Sequence, residues 1–226
     1  MRVMQAVVLA VVAGGLTGAA SGVVVPFVET FEGGVANWRN ANNSADLDFV
    51  AGGGADGGAY ASGVFNYANT SSGGFPPIVL RGQASSGASG GAFVGDWLAA
   101  GVTEFLFEIR HDAPVALEIT GRIATPGNFP GASFETDFLV EPGVWTTVGI
   151  TIDENDPRWV SFSNQPFEAT FGNVGNIQIG ANVPEALVGQ DITVRFDLDL
   201  VRIVPSPAGL AAFSVLGLGM CRRRRG

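Results

Sequence analysis

Between residues 23 and 203, apolar side chains come in short alternating bursts, each cut by glycine, proline or asparagine before it reaches helical length. TEFLFEIR (103–110) sets Phe105, Phe107 and Ile109 on one face. VALEITGRI (115–123) does the same with Val115, Leu117 and Ile119, and VWTTVGITI (144–152) with Val144, Thr146, Val148 and Ile150. The longest burst, ITVRFDLDLVRI (192–203), turns Ile192, Val194, Phe196, Leu198 and Leu200 one way and Arg195, Asp197 and Asp199 the other. A period of two marks strands with one buried face, whereas a helix needs apolar residues three and four apart. The 33 glycines of the 226-residue chain break every longer pattern. The reading is therefore all-β: an antiparallel β-sandwich of the jelly-roll kind. Two Gly/Ser-rich stretches, 50–63 and 82–91, read as loose loops. Neither precedes a helix or carries the basic residue that a phosphate cradle uses.

The two ends follow other rules. MRVMQAVVLAVVAGGLTGAASG (1–22) has Arg2, an apolar run over 3–16 and small residues around Ala20. That order is a secretory signal peptide, a helix cut after Ala20 or two residues later. Residues 204–226 read Pro205-Ser206-Pro207, an apolar run over 208–220, then Arg222, Arg223, Arg224 and Arg225. As a helix the run would be about 20 Å long, short of a bilayer core of roughly 30 Å. Four adjacent guanidiniums need water or phosphate and suit the cytoplasmic side of a membrane. The expectation is a short C-terminal apolar helix acting as a transient membrane stop that something else processes; the alternative is a basic tail without structure. The sandwich domain then occupies 23–203.

Charge bounds the partners. The chain holds 12 basic and 21 acidic residues; five of the arginines lie in the two ends, which leaves 7 basic against 21 acidic, a net −14. Nucleic acid and anionic lipid both need positive patches, so neither is expected as a partner of the domain. Every basic residue is arginine, and the one cysteine, Cys221, sits in the tail. A thiolate zinc site, a cysteine nucleophile and a disulfide are thus excluded for the domain.

Catalytic signals are sparse. The single histidine, His111, stands beside Asp112 and reads as a surface turn residue, and no Gly-x-Ser-x-Gly elbow accompanies it. A glycosidase pairs its two carboxylates only in space, so a polysaccharide-active enzyme stays open as the alternative function. Sugars stack on exposed aromatic rings while polar groups hold their hydroxyls. Trp97 and Trp159, near turns, and Tyr60 and Tyr67, flanking a Gly/Asn loop, are the candidate ligand-binding residues. Trp38 and Trp145 are expected in the core.

Two resemblances add to this. The signal peptide together with the Pro-x-Pro, apolar and arginine tail resembles the PEP-CTERM sorting signal of Gram-negative bacteria, although Pro205-Ser206-Pro207 replaces the usual Pro-Glu-Pro. The resemblance implies sorting by an exosortase-type membrane protease, membrane contact through the tail, and a place at the cell surface, the outer membrane or an exopolysaccharide matrix. Pro205, Pro207 and Arg222 to Arg225 would carry the signal. The order FVETFEGGVANW (27–38), DLDFVAGGGADGGAY (46–60), FEATFGNVGNIQIGANV (167–183) and DLDLVRI (197–203) resembles laminin IV-type modules, allied to carbohydrate-binding sandwiches. Here Leu200 stands where that family has Asn. The resemblance implies one structural calcium between the first strand and the last, held by Glu32 and Asp199 with Glu29 and Asp56 nearby. The other reading of those acids is a solvated face of two strands. The function expected is an exported, non-catalytic surface or matrix module, glycan-binding or adhesive, with a ligand-free matrix protein as a further alternative.

Overall fold

The computed structural model describes residues 22–206. The signal segment, Pro207, the apolar run, Arg222 to Arg225 and the two terminal helices expected there lie outside the described residues.

Among the described residues, twelve strands form two antiparallel sheets, joined by turns, short 3-10 segments and one short α-helix. The first sheet holds β3 (Asp48–Val50), β4 (Tyr60–Asn66), β12 (Thr193–Pro205), β6 (Val102–His111) and β9 (Thr146–Thr151) in that order, and β1 (Phe27–Glu29) also pairs with β12. The second runs β10 (Val160–Ser161), β8 (Gly131–Val140), β7 (Leu117–Ala124), β11 (Asn176–Ala181), β5 (Ile78–Gln83) and β2 (Arg39–Asn40). Helix α1 (Phe167–Phe171) packs at the end of the second sheet. This is the β-sandwich that the alternating bursts demand.

The period of two becomes the core directly. Phe105, Phe107 and Ile109 from β6, Val148 and Ile150 from β9, and Val194, Phe196 and Leu198 from β12 are all buried between the sheets. Opposite them lie Ile119 and Ile123 of β7 and Ile177 and Ile179 of β11. Two inward positions are glycine because aromatic rings occupy the space. A Cβ on Gly121 would sit 2.3 Å from the Phe134 ring, and one on Gly82 would sit 2.7 Å from Trp38.

β12 departs from strict alternation at one point, and that point matters. Its side neighbour is β4 over 193–198 and β1 over 201–203. Between them the pairing with β6 slips, from Asp199↔Glu108 to Arg202↔Leu106. Leu200 absorbs the slip with φ +46, a left-handed backbone. The inward set therefore continues as Val201 and Ile203, both fully buried, and Leu200 leaves the face that unbroken alternation gives it. The same strand carries past residue 203: Pro205 lies opposite Val102. The sandwich thus takes in the first two residues of the segment read as tail, and Pro205 is buried at a strand end.

Candidate functional site

Asp199 sits where β12 changes neighbours, so no strand lies beside it on that side. The Gly-rich loop 51–59 fills the gap. Asp199 Oδ2 accepts from the Ala55 amide at 2.8 Å and Oδ1 from the Leu200 amide at 2.7 Å. Glu32, just past β1, accepts from the Ala59 amide at 2.9 Å, and Asp56 caps its own turn through the Gly58 amide at 2.8 Å. The glycines allow this approach: a Cβ on Gly54 would lie 2.5 Å from Asp199 Oδ2, and one on Gly58 would lie 2.0 Å from Glu32 Oε1. Glu29 stands apart, accepting from the Phe31 amide. Three of the four acids singled out in the sequence therefore meet at one loop, and 51–59 is pinned down where the sequence reads as loose.

The electrostatics of the cluster are unbalanced. Asp199 is fully buried and makes no ion pair among the described residues. Burial pushes its carboxyl above the usual range; the two backbone amides pull it back, and Asp56 and Glu32 push it up further. Asp197, two residues earlier and equally buried, is matched: Arg110 reaches it at 2.8 Å, Arg195 at 3.4 Å, and the Ser62 hydroxyl donates to it at 2.7 Å. No three His, Cys, Asp or Glu side chains among the described residues gather closely enough to form a metal site by themselves.

The aromatic residues sort differently from the sequence expectation. Trp97 and Tyr67 are fully buried. The Trp97 indole packs on Phe105 and Phe171 and donates to the Phe93 carbonyl, so it offers no ring to a ligand. The Tyr67 hydroxyl is buried with no hydrogen-bond partner among the described residues, and burial pushes it up to about 12. Trp159 is half-buried among Phe134, Phe167 and Phe171. Tyr60 is buried beneath the 51–59 loop, edge-on to Trp145. Trp145, expected in the core, lies on the outer face of the first sheet, where its indole donates to the Gly53 carbonyl at 3.0 Å and Arg110 stacks over it. His111 is buried, not a surface turn: one ring nitrogen meets the Val140 carbonyl at 2.9 Å, and the other accepts from the Ala113 amide.

A cleft that the sequence reading missed opens at the rim of the sandwich. β3 pairs with β4 only over 60–62, and β2 pairs with β5 only over 80–81, so the edges at Val64–Asn66 and Ile78 are uncovered. Between them lies a cleft of about 480 Å³ lined by Asn40, Asn42, Asn66, Asn69, Phe65 and Ile78, with Ala41, Val64 and Pro77 completing the wall. Asn40 and Asn66 are held by their own turns: Asn40 accepts from the Ser44 and Ala45 amides, and Asn66 accepts from Ala68 and donates to Asp191 and Thr193. Among the described residues, Asn42 Nδ2 and Asn69 Oδ1 have no partner. The available signal was the density of asparagine in RNANNS (39–44) and NYAN (66–69).

No family model matches this sequence, and no curated protein matches it. Several solved structures align with the chain. An exo-β-agarase aligns with TM-score 0.50 at 12% identity, over 80% of this chain and 26% of that one. The CBM22-1–GH10 modules of Clostridium thermocellum xylanase 10B, complexed with xylohexaose, align with TM-score 0.47 at 16% identity, over 80% of this chain and 29% of that one. The L4b domain of human laminin α-2 aligns with TM-score 0.38 at 12% identity, over 70% of this chain and 97% of that one. The chain thus spans less than a third of the agarase and xylanase structures, and the agarase likeness is one of sandwich fold.

Proposed function

We propose that this chain is an exported, non-catalytic module that holds a saccharide in the rim cleft and is sorted through its C-terminal tail. The cleft carries the reading. Its volume is in the range of small-molecule sites, and its wall mixes apolar patches with a few fixed polar groups. Those groups are carboxamides, which donate and accept at once and so match a sugar hydroxyl in either role. Asn40 and Asn66 are pre-positioned by their turns, which lowers the ordering cost of binding. Among the described residues, Asn42 and Asn69 each keep one polar atom free for a ligand.

The test is retention of the full chain on a panel of insoluble glycans, with soluble sugar followed in parallel. Retention without sugar release is expected. The double variant Asn42→Ala/Asn69→Ala should lose at least about ten-fold in affinity while melting like the parent. Sugar release would replace the reading with a hydrolase, and unchanged retention in the variant would move the site elsewhere.

Calcium belongs to the same proposal. Asp199 and Glu32 would supply carboxylate oxygens at the 51–59 loop, with backbone carbonyls and water completing the shell that calcium requires, while Asp56 stays on the Gly58 amide. Glu29 stays on the Phe31 amide in this reading. The unpaired burial of Asp199 supports it: a divalent cation supplies the countercharge that arginines supply to Asp197. Sorting by an exosortase-type protease is tested by deleting 207–226. That cut leaves β12 whole, whereas a cut at 204 removes Val204 and Pro205 from the sheet. The truncated chain should no longer reach the cell surface.

A further inference from the structure

The outer face of the second sheet carries a rung that the acidic composition conceals. Reading across adjacent strands, Arg39 of β2 lies opposite Arg81 of β5, Arg81 opposite Gln178 of β11, Gln178 opposite Arg122 of β7, and Arg122 opposite Ser133 of β8. Three of the domain's seven arginines thus share one line across four strands. Arg39 is answered by Asp46 at 3.1 Å. Arg81 and Arg122 are not: no ion pair among the described residues reaches either one.

Both arginines are half-buried, and burial lowers their pKa. Arg81 lowers that of Arg122 further, so the two charges repel each other across Gln178. Neutral partners hold them in place. Arg81 Nε donates to the Ala41 carbonyl at 2.6 Å, and among the described residues its two terminal amino groups meet no acceptor. Arg122 donates to Asn128 Oδ1, the Asn128 carbonyl and Gln178 Oε1, and its guanidinium lies 5.0 Å over the Phe162 ring. Gln178, itself 2% exposed, donates back to Asn128 Oδ1 at 3.1 Å. The next residue in that loop, Phe129, is 54% exposed. Two partly desolvated cations without a counter-ion among the described residues, fixed by neutral hydrogen bonds, are arranged for an external anion.

We propose that Arg81 and Arg122 form a subsite for an acidic saccharide, binding the carboxylate or sulfate of a polyanionic glycan chain. This rests on the reading that the chain binds saccharides, and it adds a charge-selective contact at the border of the asparagine cleft, whose wall residue Ala41 holds Arg81. The domain's net charge of −14 repels polyanions at long range. Attraction to one therefore has to come from a local site, and Arg81 is the member with free donors.

The experiment compares full-length chain on polygalacturonate, on a sulfated galactan and on neutral xylan, at low salt and at about half-molar salt, where surface charge is screened. Variants are Arg81→Gln, which leaves the Arg122–Asn128 clamp intact, and Arg222–Arg225→Gln, which removes the basic tail as a competing anchor. The expected result is retention on at least one polyanion that survives the tail substitution, weakens at least ten-fold with salt, and weakens at least ten-fold in Arg81→Gln. Xylan retention should fall far less than polyanion retention in Arg81→Gln, because Arg81 meets the cleft wall only through the Ala41 carbonyl. Retention on the sulfated galactan alone, still lost in Arg81→Gln, names sulfate as the anion; on polygalacturonate alone, carboxylate. Equal polyanion retention by Arg81→Gln and parent, or loss with the tail substitution, overturns the subsite while xylan binding leaves the cleft standing. Retention on no glycan overturns both.

Discussion

Asp197 offers the sharpest test of how the outer face of the first sheet is held. Its carboxylate is fully buried and takes one hydrogen bond and a close ion-pair contact from Arg110, one hydrogen bond from Ser62, and a longer ion pair from Arg195. In Asp197→Ala these partners remain without their acceptor. Breaking a buried ion pair from one side costs about 3–5 kcal/mol. Arg110 keeps 20% side-chain exposure and can recruit water, so the low end applies, about 3 kcal/mol. Ser62 is 5% exposed, and its orphaned hydroxyl adds about 1 kcal/mol. Arg195 is half exposed and contributes little. The sum of about 4 kcal/mol corresponds to a melting midpoint roughly 8–16 °C lower for a domain of this size. Asp197→Asn keeps an acceptor for Ser62 and should lose about half as much. Arg110 also reaches the Gly53 carbonyl at 3.4 Å and stacks over Tyr60 and Trp145. Hydrogen exchange at the Ala55 and Ala59 amides should therefore accelerate along with the loss of stability. Thermal melts and exchange of the variants measure both. A loss below about 1 kcal/mol, or loop amides that exchange as in the parent, would refute the view that this ion pair anchors the 51–59 loop.

Other consequences follow from neighbouring residues. Leu200→Asn should raise the melting midpoint by a few degrees, because a left-handed backbone costs an ordinary side chain about 1 kcal/mol and Asn tolerates it; a lower midpoint would mean that the half-buried leucine packs more than it strains. Burial holds His111 below its ordinary value, with the Val140 carbonyl, Asp112 and Glu141 pulling back. The stability it contributes is therefore complete above pH 6.5 and is lost as pH falls through the folded-state value. Compared with His111→Gln, the parent should lose melting temperature on mild acidification, and parallel pH profiles would contradict the buried neutral ring. Asp199 is shifted upward, so its ionisation costs stability as pH rises through the folded value. Calcium should raise the midpoint at neutral pH and a chelator lower it, with no such difference in Asp199→Ala; identical melts with and without chelator would remove the cation.

Much of the sandwich was legible because burial on one face writes a period of two into the chain. Phe105, Phe107, Ile109, Val194, Phe196 and Leu198 stand inward as that period demands. The period fails at Leu200, because a bulge adds a residue without altering composition, and only the partners of β12 reveal it. Trp97 and Trp145 exchanged their expected places: nearness to a turn does not decide burial when α1 and β6 close over a ring. The acids at 32, 56 and 199 were legible as a set, but the loop that joins them was not, since its glycines give no periodic signal. The asparagine cleft was invisible for a further reason. Its two walls come from turns separated by more than twenty residues, and amides in turns ordinarily serve their own backbone.

The most direct measurement is a crystal structure of the chain grown with an oligosaccharide from whichever glycan retains it. An intact oligosaccharide seated between Asn42 and Asn69, against Phe65, is the predicted result. A cleaved sugar, or one bound only away from the rim cleft and the Arg81 face, would contradict it.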